Sequence, residues 1–160
     1  MSSTDTCIQS NFETLYLPIH SALFRTALMM TRNRHTAEDA LQDAVTKGLK
    51  SFSKLRNQNH FKTWMTRIVI NACHDVTKKQ PDDMPLDYIE DIAHARGDHV
   101  IEFEVIDAVA QLDSKAREIV TLRFWAGLSL EEIAKTKALP LGTVKSRLSR
   151  ALDKLRTALS

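Results

Sequence analysis

The sequence predicts an all-α protein made of two small helical domains. Apolar residues recur three and four positions apart along most of the chain, the spacing that places them on one face of an α-helix. The 160 residues include only four glycines and four prolines, too few for the closely spaced turns of a β-sandwich or barrel. Hydrophobic residues make up 43% and charged residues 26%, which is ordinary for a globular protein and excludes collagen-like and low-complexity classes.

The sequence carries no signal for export or membrane insertion. No run approaches the length of about 18 apolar residues that a spanning helix needs, and the amino terminus, Met-Ser-Ser-Thr-Asp, lacks an apolar signal core. Cys7 and Cys73 are too few for a disulfide framework, so both are expected to be free thiols. We therefore expect a cytoplasmic protein.

Charge is segregated along the chain, although the formal net charge is only +2. Residues 1–80 hold 11 Lys and Arg against 6 Asp and Glu, residues 81–107 hold 1 against 9, and residues 108–160 hold 10 against 5. The acidic block contains Pro81 and Pro85, and prolines among like charges favour an extended linker. We predict a first domain over 10–79, an acidic flexible linker over 80–100 and a second domain over 101–158. A solvated surface loop is the alternative interpretation of the acidic block.

The first domain is predicted to contain amphipathic helices. An apolar stripe runs from Phe12 to Met30, and Pro18 within it should end or kink the first turns. Thr36 is the expected N-cap of the next helix. A further helix begins near Phe61, with apolar residues on one side and basic and amide side chains on the rest. That basic face is either a nucleic-acid-binding surface or an ordinary solvated helix face.

The second domain shows the pattern of a helix-turn-helix. Ser129 and Glu132 form a predicted capping box that starts a short helix, and Gly127 before it suits a left-handed conformation. A break at 137–140 leads into a longer helix with a basic, hydroxyl-rich outer face. Such a second helix fits the major groove of DNA, and its cations pair with phosphates. A helical hairpin in an unrelated bundle is the alternative.

Three segments resemble extracytoplasmic-function sigma factors. The segment 129–155, SLEEIAKTKALPLGTVKSRLSRALDKL, resembles the region 4 helix-turn-helix, with its E-E-I-A start and P-x-G-T-V-K-S-R passage. The segment 37–52, AEDALQDAVTKGLKSF, resembles the core-binding helix of region 2. The segment 61–75, FKTWMTRIVINACHD, resembles the W-x-x-R-I-x-x-N helix of the same region. Two motif sets in the expected order make this resemblance specific.

The resemblance implies a promoter-specificity subunit of bacterial RNA polymerase with no active site of its own. The residues it assigns to core polymerase binding are Asp39, Gln42, Asp43 and Lys47. Those assigned to the −10 promoter element are Asn57, Gln58, Asn59, His60, Lys62, Arg67, Asn71, Lys78 and Lys79. Those assigned to the −35 element are Thr143, Lys145, Ser146, Arg147 and Arg150, with Arg147 favoured for a direct or phosphate contact.

The resemblance also implies the partners. They are core RNA polymerase, promoter DNA in both elements, and an anti-sigma factor, which in one arrangement would hold the chain at the inner face of the membrane. No cofactor, metal, small-molecule substrate or homo-oligomer is expected. The acidic linker would either thread a basic polymerase channel or act as a solvated tether, and the relative placement of the two domains is left open.

The turn of the helix-turn-helix departs from the family pattern. Thr136, Lys137 and Ala138 stand where many members have two apolar residues and a glycine. Ala138 lacks the freedom of glycine at positive φ, so the turn is expected to be either differently tightened or strained. Lys137 is expected either to pack its stem while its ammonium group reaches solvent, or to contact a partner.

Two other classes compete with this interpretation. A stand-alone helix-turn-helix repressor would bind duplex DNA unaided, usually as a dimer, but leaves the first motif set unexplained. An anti-sigma or adaptor protein would bind only proteins, which the basic last helix argues against. An enzyme is disfavoured, because the six histidines show no metal-ligand spacing and no phosphate loop or nucleophile motif is present.

Overall fold

The computed structural model describes residues 3–78 and 100–160, with side chains from residue 104 onward in the second range. Lys79 and residues 80–99 of the predicted linker lie outside these residues, and its last residue, Val100, begins a helix. The α-helices are α1 Ser3–Tyr16, α2 His20–Thr31, α3 Arg34–Ser51, α4 Phe61–Thr77, α5 Val100–Ala110, α6 Ser114–Phe124, α7 Leu130–Lys137 and α8 Leu141–Leu159. Short 3-10 turns occupy Leu17–Ile19, Phe52–Lys54 and Gln58–His60. Within the described ranges no strand occurs, which agrees with the all-α prediction.

Pro18 separates the first two helices as predicted. α1 ends at Tyr16, a 3-10 turn contains the proline, and α2 begins at His20. Proline has no amide hydrogen to donate, so the α-helical ladder cannot continue through it. The start of α1 was not predicted, because the helix begins at Ser3 although the apolar stripe starts only at Phe12. The residues before Phe12 are mostly polar, so no apolar periodicity predicts a helix there.

The N-cap predicted for α3 was wrong. Asn33, and not Thr36, caps the helix, since its Oδ1 atom accepts a hydrogen bond from the Thr36 backbone amide at 2.9 Å. α3 consequently begins at Arg34, and its first turn contains no acidic residue. Asparagine and threonine are both good N-cap residues, and the upstream one takes the role here.

Aromatic rings join the helices of the first domain. The Phe12 ring meets those of Phe52 and Phe61 edge-on, with centroids 5.6 and 5.4 Å apart. α3 approaches this cluster closely at Gly48, where a Cβ atom would lie 3.0 Å from the Met65 sulfur and 3.1 Å from the Phe12 ring. A Cβ atom at this position would require Met65 or Phe12 to shift by a few tenths of an ångström, so the close approach favours glycine.

The second domain packs α5, α6 and α7 around α8. Its core contains Ile106, Leu122, Ile133 and Val144, all at most 1% exposed. Asp113 caps α6 by accepting a hydrogen bond from the Ala116 amide at 2.9 Å. The buried residues of α8 are Val144, Leu148, Ala151 and Leu155.

The two domains contact each other in this structure. α2 packs against α6, and side chains of α4 bond to side chains of α6 and α7. The sequence left this placement open, because nothing local to either domain encodes it. Across the described ranges, no helix has both the length and the apolarity needed to cross a membrane.

Candidate functional site

The helix-turn-helix forms as its sequence predicts. The Ser129 hydroxyl accepts from the Glu132 amide at 3.1 Å, and the Glu132 carboxylate accepts from the Ser129 amide at 2.9 Å. This capping box satisfies two of the free amides at the start of α7. α7 ends at Lys137, and its C-cap residue Ala138 has a left-handed backbone with φ 52° and ψ 45°. Of the two alternatives for this turn, the structure has the strained one, because an alanine occupies a conformation that glycine adopts without steric cost.

The outer face of α8 presents the residues predicted to read the −35 element. Lys145, Ser146 and Arg150 are exposed, and Thr143 and Arg147 are partly exposed. Arg150 folds back along the helix and donates to the Ser146 hydroxyl and backbone oxygen, each at 3.3 Å. The face thus holds cations close to hydroxyl groups, a combination suited to phosphates and base edges.

A basic groove of about 300 Å³ lies between this face and the start of α6. Arg147, Arg150 and Lys154 line it from α8, and Lys115 lines it from α6. Sequence reasoning missed Lys115, which is 32 residues from Arg147 along the chain. Asp113 also lines the groove, and its carboxylate lies 3.5 Å from the Lys154 ammonium group. The pKa of Asp113 is lowered, chiefly by the hydrogen bond from the Ala116 amide.

The residues predicted to bind core polymerase form one exposed strip on α3. We call this the α3 strip, and its members are Asp39, Gln42, Asp43 and Lys47. Lys47 and Asp43 form an ion pair at 2.8 Å, one helical turn apart. The hydrogen bond to Asp43 raises the pKa of Lys47. The strip therefore offers carboxylates, an amide and a cation to a partner surface.

An apolar groove of about 480 Å³ borders the α3 strip. Phe24, Leu41 and Val45 line it, and Gln42 of the strip forms part of its edge. At one end, the Tyr16 hydroxyl and the Nδ1 atom of His20 lie 2.8 Å apart, and burial raises the pKa of Tyr16 to about 12. The sequence pointed to the polar strip but not to this groove, which forms only when α2 and α3 pack together.

The residues predicted to meet the −10 element occupy a loop and the following helix. Asn57 accepts from the Asn59 amide at 3.0 Å and caps the 3-10 turn that contains Gln58, Asn59 and His60. All four side chains are exposed. Lys62, Arg67, Asn71 and Lys78 are exposed on or just after α4. The structure thus brings the loop and the start of α4 together.

Part of this α4 surface faces the second domain. Arg67 Nε donates to the Thr136 hydroxyl at 3.2 Å, and Thr63 donates to the Glu132 carboxylate at 3.2 Å. A Cβ atom on Gly127 would lie 2.7 Å from Lys62 Nζ, so the lysine passes close over that turn. Gly127 has a φ of 71°, which confirms its predicted left-handed conformation. Two residues assigned to promoter DNA, Lys62 and Arg67, thus lie against the second domain in this structure and remain exposed.

A charged cluster completes this contact, and the sequence did not predict it. Glu118 Oε1 lies 2.6 Å from Lys137 Nζ and 2.8 Å from His74 Nε2. Burial acts to raise the pKa of Glu118, but hydrogen bonds from His74 and Lys137 outweigh it and hold that pKa below its ordinary value. His74, grouped with the basic outer face of α4 by its sequence position, is instead partly buried against α6.

The thiols and acids do not assemble into a metal centre in the parts of the chain that the structure describes. Within them, no group of three or more His, Cys, Asp or Glu side chains could hold an ion together. Cys7 is an exposed free thiol and Cys73 is a buried one. Burial, followed by the charge of Glu118, raises the pKa of Cys73 to about 12.

Comparison with known proteins identifies the two domains. The family model described as Sigma-70 region 2 matches residues 15–81, and the one described as Sigma-70, region 4 matches residues 108–157. The RNA polymerase sigma factor SigV of Bacillus subtilis is 32% identical over 139 residues, which cover 86% of this chain and 84% of SigV. The ECF RNA polymerase sigma factor SigM of Mycobacterium tuberculosis is 30% identical over 150 residues, covering 92% and 76% respectively.

A solved structure shares the fold. The sigma factor RpoE, in complex with the anti-sigma factor NepR from Bartonella quintana, superposes with a TM-score of 0.76 at 23% identity, covering 93% of this chain and 96% of that one. The two matched regions and the curated relatives agree with the motifs on α3, α4, α7 and α8. The chain belongs to the extracytoplasmic-function group of the sigma-70 family of RNA polymerase sigma factors.

Proposed function

We propose that this chain binds core RNA polymerase through the α3 strip and directs it to promoters, contacting the −35 element through α8 and the −10 element through residues 57–60 and α4. The observation that carries the proposal is the helix-turn-helix with its basic outer face, on the same chain as a domain that matches Sigma-70 region 2. We propose the functional domains as 10–79 and 101–158, with residues 80–100 as the linker.

The α3 strip suits a protein partner rich in arginine. Asp39 and Asp43 are exposed carboxylates, and charge-assisted hydrogen bonds to guanidinium groups are strong and directional. The apolar groove beside the strip adds a surface that a partner helix would bury. A polar strip next to an apolar groove is the composition of a specific protein interface rather than of an ordinary solvated helix.

The outer face of α8 suits duplex DNA. Arg147, Arg150 and Lys154, together with Lys115 of α6, supply positive charge along one groove. Cations that neutralise phosphates give affinity and register, and the hydroxyl groups of Thr143 and Ser146 are placed to supplement them with base contacts. We therefore assign the −35 contact to this face, with Lys115 as an additional phosphate contact.

The loop before α4 suits a flipped base of the −10 element. Asn57 uses its side-chain oxygen to cap the 3-10 turn, so it shapes the loop. Gln58, Asn59 and His60 are then the side chains best placed to hydrogen-bond with a base edge. Extruding a base from the stack costs a few kcal/mol, which such contacts must offset.

We also propose control by an anti-sigma factor in the cytoplasm, either free or bound at the inner face of the membrane. A complex of a sigma factor with an anti-sigma factor supports this, because its sigma chain shares the fold. The chain itself would carry no active site, since the core enzyme makes the phosphodiester bonds.

Run-off transcription tests the proposal. The purified chain is mixed with sigma-free core polymerase and fragments of its source genome. Discrete, core-dependent transcripts that share an upstream motif are expected. Retention of duplex fragments by the protein alone, without transcripts, would instead indicate a repressor, and neither activity would indicate a protein that binds only other proteins.

A further inference from the structure

We propose that Glu118, Lys137 and His74 form a polar latch that holds the second domain over the −10 face of α4 in the free chain. The description of that face as promoter-binding rests on the function proposed above, but the latch itself does not. Two of its members come from the second domain and one from the first, so the cluster exists only when the domains are closed.

One stripe of α4 makes the contacts. Thr63, Arg67 and His74 are spaced by four and seven residues, which places them on the same side of the helix. Each bonds to a different residue of the second domain, at Glu132, Thr136 and Glu118 respectively. The bonded atoms span most of α4, so the second domain lies along the helix rather than touching it at a single point.

The latch is partly shielded from solvent. The side chain of Glu118 is 15% exposed, that of Lys137 is 22% exposed and that of His74 is 39% exposed. The ion pairs elsewhere on the described surface, such as Arg156 with Asp153 at 78% and 66%, are largely hydrated. A pair shielded from solvent contributes more than a hydrated pair, and removing one partner leaves the other charge partly buried and unpaired.

The protonation of His74 decides how the cluster is bonded. Its Nε2 atom lies 2.8 Å from Glu118 Oε1 and 3.2 Å from Lys137 Nζ. One nitrogen cannot both donate to the carboxylate and accept from the ammonium group. In either arrangement Glu118 accepts from Lys137 at 2.6 Å within the second domain, and His74 supplies the bond that crosses between the domains.

Packing around the latch is incomplete, which makes the polar contacts more important. A cavity of about 220 Å³ lies beside it, between Met29 and Met30 of α2, Thr77 of α4 and Ser114 of α6. Apolar contact across this part of the interface is thus limited. The closed arrangement depends correspondingly on the bond between His74 and Glu118.

Closure and promoter binding compete for two exposed residues. Arg67 is bonded to Thr136, and Lys62 passes over Gly127, so both side chains are engaged by the second domain while the latch is closed. Opening the latch would release both from these contacts. Lys137, which departs from the apolar family pattern, holds the carboxylate of Glu118 beside His74 at this contact.

Single-molecule fluorescence transfer on the full chain tests the latch without polymerase or promoter. Dyes are attached to cysteines introduced at the exposed positions Lys50 of α3 and Ala158 of α8, with Cys7 replaced by serine. Cys73 is buried, and a sample without the introduced cysteines measures any labelling of it. Glu118→Gln and His74→Leu, which remove the two sides of the bond between the domains, are compared with Arg156→Met, which breaks an ion pair contained within α8.

We expect one population of transfer efficiency for closed molecules and a second for open ones. Each latch variant should raise the ratio of open to closed molecules about tenfold. The double variant should add little to either single variant, because the two residues act as one pair. Arg156→Met should leave the ratio unchanged.

Two outcomes would overturn the latch. The first is an unchanged ratio in both latch variants, with circular dichroism showing that they are folded. The second is an equal change in Arg156→Met. If the latch variants open but the wild-type chain directs no transcription with core polymerase, the latch stands and the proposed function fails.

Discussion

Lys137 Nζ lies 2.6 Å from Glu118 Oε1, and this ion pair joins α7 to α6 at the point where both face the first domain. His74 of α4 reaches the same carboxylate oxygen at 2.8 Å. The same carboxylate therefore holds α7 against α6 and bonds the second domain to the first. It also supplies a dependence on pH that can be measured.

Acid is expected to open the two domains. The pKa of Glu118 in the closed form lies below its ordinary value of 4.5. The carboxylate thus stabilises closure above that ordinary pKa, and the stabilisation is lost as pH falls through the lowered one. The groups facing it are His74 of α4, Lys137 of α7 and the neighbouring Cys73 thiol. The open fraction from fluorescence transfer should rise as pH falls below 4.5. Glu118→Gln should abolish the part of this rise that comes from protonation of Glu118. An identical pH profile in the variant would contradict the assignment.

Ser129→Ala is expected to destabilise the second domain by about 1 kcal/mol, because α7 loses its N-cap. The free energy of unfolding from urea titration measures the change. Ser149→Ala is the matched control, since Ser149 is exposed in the middle of α8 and caps nothing. Equal effects of the two substitutions would show that the capping box contributes no stability.

Ala138→Gly is expected to stabilise the chain by about 1 kcal/mol. Ala138 has a φ of 52°, a left-handed conformation that glycine adopts without the steric cost of a Cβ atom. Ala158→Gly, near the end of α8, should instead destabilise slightly, because glycine weakens a helix. Thermal unfolding of both variants checks the contrast in sign, and a loss of stability in Ala138→Gly would mean that the turn is unstrained.

Asp43→Lys is expected to weaken binding to core polymerase about tenfold, since it reverses one charge of the α3 strip and places a cation beside Lys47. Competition against a labelled sigma factor measures the affinity. Asp153→Lys, an exposed charge reversal on α8, is the control and should bind core normally. Unchanged affinity of Asp43→Lys would count against the strip as the docking surface.

Local signals in the sequence predicted most of the secondary structure. The capping box at Ser129 and the break at Pro18 depend on neighbours a few residues away, and both are confirmed. The cap of α3 was misassigned because Asn33 and Thr36 both qualify chemically and lie within one turn. The beginning of α1 was not predicted, because the residues before Phe12 are mostly polar and show no apolar periodicity.

The latch could not be predicted from local signals. Glu118 and His74 are 44 residues apart, on helices of different domains, and no periodicity relates them. The same holds for the apolar groove, which needs α2 and α3 packed side by side, and for Lys115, which meets the α8 face only after folding. The departure of Lys137 from an apolar family pattern was the one sequence signal that pointed toward the interface.

Core-dependent run-off transcription with three proteins side by side tests the central claim most directly. The wild-type chain should give discrete transcripts. Arg147→Ala should lower their yield about tenfold while its affinity for core is unchanged, because one promoter contact is lost. Asp43→Lys should lower the transcript yield when core polymerase is limiting, and the yield should return to the wild-type level when core polymerase is saturating. Equal yields from all three proteins, or no core-dependent transcript from the wild-type chain, would contradict the account.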